Sequence, residues 1–450
     1  MHDIFGEEAR WHDFVREQIA GIASSHGFDR IETPVLEQEE VFAKGVGAGT
    51  DIVEKELYTL RTKGGDKLAL RPEATAAVVR AYVEHGMKSL PQPVRFWYAS
   101  PMFRHDRPQR GRFRQFWQAG FEILGEDDAV ADAEAILVTM NALNALGLKD
   151  LVLHVNSIGD PQSRQAYKKV LQVYLRKHKD KLAPADQKRI TSNPLRILDS
   201  KDARTQQALL NVPEIIDYLN DTDRVHFRSV LEYLEELDLP YLLNPRLVRG
   251  LDYYSRTVFE VFAESPGAVP QEEQEGEATA TAAQTSDAGG TTGLALASGG
   301  RYDGLFRILG SKAPGGVGSA IGIERVVDML RVQGSEAPAP VQPQVFLVQL
   351  GDMAKRKALG LYEELRVAGL QVYASFGRSS IKSQLRIADK LETPYVLILG
   401  QKEVVDDTVI IRSMKRGTQE TVRRAQLVAT LKRKLGRKAA GKKISKKAKK

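Results

Sequence analysis

Five arginines and five aromatic residues fall between Phe103 and Glu122, in the run FRHDRPQRGRFRQFWQAGFE. Guanidinium forks suit phosphate oxygens bidentately and a flat aromatic face suits a purine, so this segment carries the chemistry to hold a nucleotide. An apolar lead-in from Val94 to Phe103, the turn Arg107-Pro108-Gln109-Arg110-Gly111 and a return segment of period-2 alternation predict a β-hairpin. Alternation puts Arg112, Arg114, Phe116, Gln118 and Glu122 on one face and Phe113, Gln115, Trp117 and Phe121 on the other. Arg104 and Asp106 on the outgoing strand join the first set in a register that only the fold can set. Charge runs are usually solvated surface, so a basic hairpin over a packed aromatic underside is the competing reading.

Four other segments place polar residues in apolar surroundings: Arg71-Pro-Glu-Ala-Thr75, Arg249-Gly-Leu-Asp-Tyr-Tyr254, Gly299-Gly-Arg-Tyr-Asp303 and Gly318-Ser-Ala-Ile-Gly-Ile-Glu-Arg325. Singly, each is ordinary: a helix start, a turn, a close-packed glycine-rich strand.

The elements that must position them follow from periodicity. A helix over Glu8–Ser25 carries Trp11, Phe14, Val15, Ile19 and Ile22 on one face and stops at Gly27. Extended and loop segments are expected through Leu60. A second helix opens at Pro72-Glu73-Ala74-Thr75 and runs over Ala76–Glu84, and an alanine-rich helix covers Ala129–Leu146. Residues 162–238 read as an inserted helical domain punctuated by Pro184, Pro194 and Pro213. The stretch 264–298 has six acids, no base and little apolar content, a composition that predicts disorder. A Pro-rich linker at 336–343 precedes βαβαβ patterning over 344–432, with strands at Val345, Leu370 and Tyr395. On its second helix Lys382, Arg386 and Lys390 form a basic stripe, fit for RNA or simply solvated.

The totals exclude several classes. With 450 residues the chain holds more than one domain. It has no cysteine, hence no disulfide, thiolate zinc site or cysteine nucleophile, and its eight histidines show no helical ligand spacing, so no metal site is predicted. No run approaches the roughly 20 apolar residues of a membrane span. The N-terminus is acidic where a signal peptide would be basic, so a cytoplasmic location is expected. The net charge of +7 is concentrated at one end: residues 421–450 hold thirteen Lys or Arg and no acid, and the remainder is net acidic. The segment 433–450 is expected to be a disordered basic tail, able to hold polyanions by counterion release or serving only solubility.

Taken together and in this order, the segments resemble the motifs of the class II aminoacyl-tRNA synthetases, and among them the histidyl-tRNA synthetase family. The arginine hairpin is similar to the second signature motif of the class and Gly316–Val326, GVGSAIGIERV, to the third. Thr33–Phe42, TPVLEQEEVF, resembles the first, which in the family builds a dimer interface, and RGLDYYSRTVFEV and GGRYDG resemble the two histidine-specific motifs. The resemblance implies an α+β catalytic core over 1–335, a mixed and mainly antiparallel sheet flanked by helices, interrupted by the insertions at 162–238 and 264–298. It implies that 344–432 is an α/β anticodon-binding domain.

It also implies the reaction: histidine and ATP, with Mg2+, give histidyl-adenylate, and the histidyl group moves to the 3′ end of tRNA-His. By the same resemblance Arg104 and Arg249 meet the α-phosphate, Arg112 the outer phosphates, and Phe116 and Arg325 sandwich adenine, with Asp106 nearby. Glu73, Thr75 and Gln118 take the amino group of L-histidine, Glu122 and Tyr254 its imidazole nitrogens, and Tyr253 and Tyr302 line the pocket; Arg107 and Gln109 approach the tRNA acceptor end. Asp106 stands where the family usually has Glu, one methylene shorter, and Trp117 where His or Tyr is more usual. A homodimer is expected. The rival is the synthetase-like regulatory subunit of ATP phosphoribosyltransferase, which shares the core without the anticodon domain.

Overall fold

The computed structural model describes residues 2–47, 50–106, 113–263, 295–377 and 380–444. The chain divides into two compact units, Met1–Pro338 and Ala339–Lys450.

The first unit is organised by the hairpin. Strands Val94–Phe103 and Gln115–Leu124 pair antiparallel without a bulge, from Val94 opposite Leu124 to Phe103 opposite Gln115. Gly316–Gly322 adds to the return strand, followed outward by Ala297–Arg301, Ser255–Ala263, Leu151–Ser157 and Leu242–Leu243. Asp29–Arg30 closes the opposite edge, giving eight strands. The two outermost pairings are parallel and all the others antiparallel, the mixed and mainly antiparallel sheet expected.

Both faces are covered. Helix Gly6–Ser25 packs Trp11, Val15 and Ile19, and helix Ala129–Ala145 packs Ile136 and Leu143, against Phe121, Ile123, Phe259 and Val261 of the sheet. The alternate residues of the strands, among them Tyr98, Met102 and Val258, meet helix Thr75–Glu84 and the helical insertion on the other side. The insertion comprises helices Pro161–Lys177, Pro184–Ser192, Ala203–Ala208 and Asp221–Glu236 with short 3-10 turns. Pro161, Pro184 and Pro194 each open a helical segment, where a missing N–H is harmless.

Three local expectations are corrected. The segment before Leu60 is not simply extended or loop: it contains helix Glu39–Gly45, a π turn at Ile52–Glu56, and strand Leu36–Gln38, which joins Thr59–Arg61 and Lys67–Leu70 in a small sheet. Ala297 and Ser298, assigned to the disordered insertion by composition, instead begin a strand opposite Val261 and Glu260. Composition carried the boundary too far because small residues such as these suit a linker and a strand alike. Residues 264–294 lie outside the described residues. At the C-terminus, helix Arg424–Ile444 runs through 433–444 of the expected tail; Leu427 and Leu431 are buried and anchor its first turns.

In the second unit Val345–Gln349 lies between Val372–Ala374 and Tyr395–Leu399, all parallel, with helices Asp352–Val367 and Ile381–Lys390 as crossovers. Two further strands, Thr408–Ser413 and Gln419–Arg423, extend the sheet antiparallel.

Arg301, from the GGRYDG segment, is fully buried and pins the sheet to helix Ala129–Ala145. Its Nε and Nη2 donate to Asp132 Oδ2 at 2.9 and 2.5 Å, and its Nη1 and Nη2 to the carbonyls of Glu126 and Asp128. Burial works against the Asp132 charge, but Arg301 and His226 hold its carboxyl down to about 2. Removing one partner leaves an uncompensated buried charge, so Arg301→Ala should cost roughly 3–5 kcal/mol. The double variant Arg301→Met/Asp132→Leu should lose less than Arg301→Ala alone, measured by denaturant unfolding.

Candidate active site

The sheet face under the insertion opens into a cleft of about 320 Å³. Residues from distant parts of the sequence line it: Glu73 and Thr75 at the start of helix Thr75–Glu84, Arg104 and Asp106 past the lead strand, Phe116 and Gln118 on the return strand, the Arg249–Tyr254 loop, and Arg325. Arg325 lies in the first turn of helix Ile323–Val332.

The arginines are held by fixed oxygen acceptors. Arg104 Nε donates to the Pro72 carbonyl at 2.9 Å, and its guanidinium carbon lies 5.3 Å from the centre of the Phe116 ring. Arg249 comes from a loop, so its position depends on its neighbours: Nη1 ion-pairs with Glu260, and Nη2 donates to Ser298 Oγ at 2.6 Å. Glu260 and Ser298 are register partners on adjacent strands, so one point of the sheet holds both terminal nitrogens, while Nε has no partner among the described residues. The guanidinium lies 5.4 Å from the Tyr254 ring centre. Burial opposes the charge of Arg249, but Glu260 and Tyr254 outweigh it and raise its pKa. Arg325 Nη1 donates to the Ala295 carbonyl at 2.8 Å. A cleft holding three such cations suits a polyanion.

Beside them lies a group of acids and hydroxyls. Glu73 is buried, accepts from the Ala76 amide at 3.1 Å, and has the Tyr253 hydroxyl at 3.5 Å. Burial raises its pKa, against the backbone amides of Ala76 and Thr75. Gln118 Oε1 is buried and has no hydrogen-bond partner among the described residues, an acceptor open to a donor in the cleft. Tyr253 and Tyr254 pack with ring centres 4.6 Å apart.

Glu122 and Tyr302 stand one layer behind the lining. Glu122 is completely buried; the Thr75 hydroxyl donates to its Oε1 at 2.7 Å and the Tyr302 hydroxyl to its Oε2 at 2.5 Å. Gly318 makes this possible, since a Cβ there would stand 1.8 Å from Glu122 Oε2. Both carboxylate oxygens therefore already have donors, and a ligand nitrogen would have to share or displace one. Burial, reinforced by Glu73, pushes the Glu122 carboxyl up to about 8.

The structure thus gathers Arg104, Asp106, Phe116, Arg249 and Arg325 with Glu73, Thr75, Gln118, Tyr253 and Tyr254 in one cleft, and Glu122 and Tyr302 directly behind it. Arg107, Gln109 and Arg112 lie outside the described residues. Phe113 is corrected: alternation turned it away, yet it lines the cleft, because the strand starts only at Gln115 and the pleat does not extend back to it. Trp117 packs with the core on the opposite face, as parity requires.

Sequence reasoning missed Glu260, Ser298 and Glu324. An acid inside the apolar strand TVFEVF was a legible signal for Glu260; nothing local marked Ser298. Glu324 accepts from the Trp117 amide at 2.9 and 3.0 Å, tying the helix that carries Arg325 to the hairpin, and burial pushes its carboxyl up to about 7. Among the described residues no three His, Asp or Glu side chains gather as a metal-binding group.

The raised Glu122 pKa has a defined sign. The folded protein keeps a proton that the unfolded chain releases from about pH 4.5, so this contribution to stability is full below that pH and is lost as pH rises through about 8. Glu122→Gln carries no such proton. Between pH 5 and 8.5 the stability of the wild type should fall relative to Glu122→Gln by an amount on the order of a few kcal/mol. Unfolding midpoints of both proteins at the two pH values check this; a constant difference would mean that Glu122 is ionised throughout.

Comparison with known proteins agrees with this geometry. A family model described as Histidyl-tRNA synthetase matches residues 1–271, and one described as Anticodon binding domain matches 344–434. A histidine–tRNA ligase of Dehalococcoides mccartyi is 43% identical over 434 residues, 96% of this chain and 98% of that protein. One of Geobacillus thermodenitrificans is 40% identical over 95% of each chain. The crystal structure of apo S. aureus histidyl-tRNA synthetase superposes with a TM-score of 0.74 at 31% identity, covering 96% of this chain and 98% of that one. These full-length matches to ligases do not favour the regulatory-subunit reading. With its synthetase core built on the arginine hairpin and a separate anticodon-binding domain following it in the sequence, the chain belongs to the histidyl-tRNA synthetase family, within the class II aminoacyl-tRNA synthetases.

Proposed function

We propose that this enzyme joins histidine to the 3′ end of tRNA-His in two steps within the cleft. A carboxylate oxygen of L-histidine attacks the α-phosphorus of ATP, forming an O–P bond as the bond to pyrophosphate breaks; a ribose hydroxyl of the terminal adenosine then takes the histidyl group and releases AMP. The observation that carries this reading is the convergence of Arg104, Arg249 and Arg325 beside the unpartnered Gln118 Oε1 and the buried Glu73.

Negative charge grows on the α-phosphate during attack, and preorganised cations stabilise it without rearrangement. Arg249 fits this task because Glu260 and Ser298 hold its two terminal nitrogens, leaving its position fixed before substrate arrives. Arg104 faces the same region, with Arg112 assigned to the outer phosphates. Phe116 and Arg325 offer an aromatic ring and a planar guanidinium for the adenine, with Asp106 at its edge. Mg2+ carried by ATP would screen the outer phosphates, beside the Arg112 assigned to them.

Glu73, Thr75 and Gln118 receive the histidine ammonium. Glu122 and Tyr254 address the two imidazole nitrogens, with Tyr253 and Tyr302 positioning them; a neutral imidazole has one donor and one acceptor, which this set can satisfy. An apolar amino acid would leave those polar groups unpaired, which can yield roughly 10⁴–10⁵ discrimination. Residues 344–434 would read the anticodon, the stripe of Lys382, Arg386 and Lys390 offering phosphate contacts, and Arg107 and Gln109 the acceptor end. We assign a homodimer built through Thr33–Phe42, where Val35 and Leu36 are exposed, and a cytoplasmic location. No helix among the described residues is long and apolar enough to cross a membrane.

Arg249→Ala should lower histidine-dependent ATP–pyrophosphate exchange by about 10²–10³ or more, the scale of losing a fixed transition-state donor. The thermal midpoint of the variant should show the fold retained. Exchange at a near wild-type rate would refute the assignment.

A further inference from the structure

The helical insertion brings a cation to the cleft that no recognised motif marks. Arg196 lies in the 3-10 turn Pro194–Ile197, whose Pro194 and Ile197 are buried. The backbone at 196 is therefore anchored in the core of the insertion, while the guanidinium is exposed enough to meet solvent. That side chain lines the same cleft as Arg104, Arg249 and Arg325. It lies over Gly250, the residue following Arg249, where a Cβ would come within 3.2 Å of Arg196 Nη1. A glycine at 250 leaves the guanidinium room beside the phosphate-directed arginine.

Its present partners hold it loosely. Nη2 is 3.6 Å from Asp51 Oδ2 and Nη1 is 3.6 Å from Asp199 Oδ2, both longer than a good hydrogen bond and partly solvated. Arg104 and Arg249, by contrast, donate at 2.9 and 2.6 Å. Arg196 is only one of the cations that face Asp51: Lys55 Nζ is 2.8 Å from its Oδ1 and Arg189 Nη2 3.7 Å from its Oδ2, and the Lys55 hydrogen bond is the largest influence holding its carboxyl down. The guanidinium can leave Asp51 without stranding a bare carboxylate. A fixed backbone, a loosely held fork and a cationic cleft are the requirements for an arginine that closes on a phosphate once substrate enters.

We propose that Arg196, supplied by the helical insertion, binds a phosphate group of a substrate in this cleft, exchanging its long contact with Asp51 for that phosphate. Two substrates bring phosphate there: ATP, and the 3′ end of the tRNA. The proposal rests on the reading of the cleft as the site of adenylate formation.

Three variants of the full chain test it: Arg196→Ala, Arg196→Lys and Asp51→Asn. Histidine-dependent ATP–pyrophosphate exchange by the wild type comes first, and its absence would overturn the adenylate reading and this proposal with it. With the wild type active, Arg196→Ala should raise KM by roughly tenfold or more, the scale of one charge-assisted hydrogen bond. A rise in KM for ATP during exchange assigns the ATP phosphates. An unchanged exchange with a raised KM for tRNA in charging assigns the tRNA. Arg196→Lys, which keeps the charge but not the fork, should recover part of the loss, and Asp51→Asn, which frees Arg196, should leave KM unchanged or lower it. If Arg196 were only a latch between insertion and core, Asp51→Asn would reproduce the loss. That outcome, or Arg196→Ala with both KM values within twofold of wild type, overturns the proposal.

Discussion

A guanidinium removed from water stays charged, and its burial is costly unless fixed oxygens replace the lost hydration. That constraint organises the catalytic unit. Arg249 is carried on a loop and would wander without Glu260 and Ser298; those two are register partners, so the pairing of two strands decides where the cation points. Arg104 and Arg325 are held by backbone carbonyls of Pro72 and Ala295. In each case the acceptor belongs to a different part of the chain from the arginine, and the site exists only once the sheet has closed.

The carboxyl groups obey the complementary rule. Glu73 and Glu122 are both buried, and burial raises the pKa of each, with the neighbouring Glu73 adding to the rise at Glu122. Hydroxyls from Thr75 and Tyr302 occupy the two Glu122 oxygens and orient it behind the cleft wall, while Gln118 Oε1 is left as an open acceptor at the wall itself. One end of the cleft is thus strongly cationic and the other is a network of neutral or acidic acceptors. A substrate with a phosphate at one end and an amine at the other fits that polarity.

Structural and functional roles are interleaved within single motifs. In GGRYDG the arginine is fully buried and binds Asp132, whereas the adjacent Tyr302 turns to Glu122. Arg301 ends strand Ala297–Arg301 and Tyr302 follows it at the head of helix Asp303–Ile308, so the two side chains leave in different directions, one to Asp132 of helix Ala129–Ala145 and the other to Glu122. Glu324 and Arg325 divide in a similar way, the glutamate tying the helix to the hairpin and the arginine reaching the cleft.

By itself the sequence determined the lead strand of the hairpin, the apolar faces of the main helices and the family, because these depend on local periodicity and on motifs that are short and ordered. It also placed Phe116 and Gln118 on the ligand side, since a strand has only two faces. It misread what depends on contacts between distant segments. Ala297 and Ser298 looked like linker because small residues read the same in a loop and in a strand, and Phe113 was turned the wrong way because alternation holds only within a paired strand. Glu260 stood out as an acid in an apolar strand, but its partner did not, and Ser298 and Arg196 carried no local mark at all: each lies beside its neighbours in the cleft only through sheet register or the docking of the insertion, and neither is encoded in local spacing.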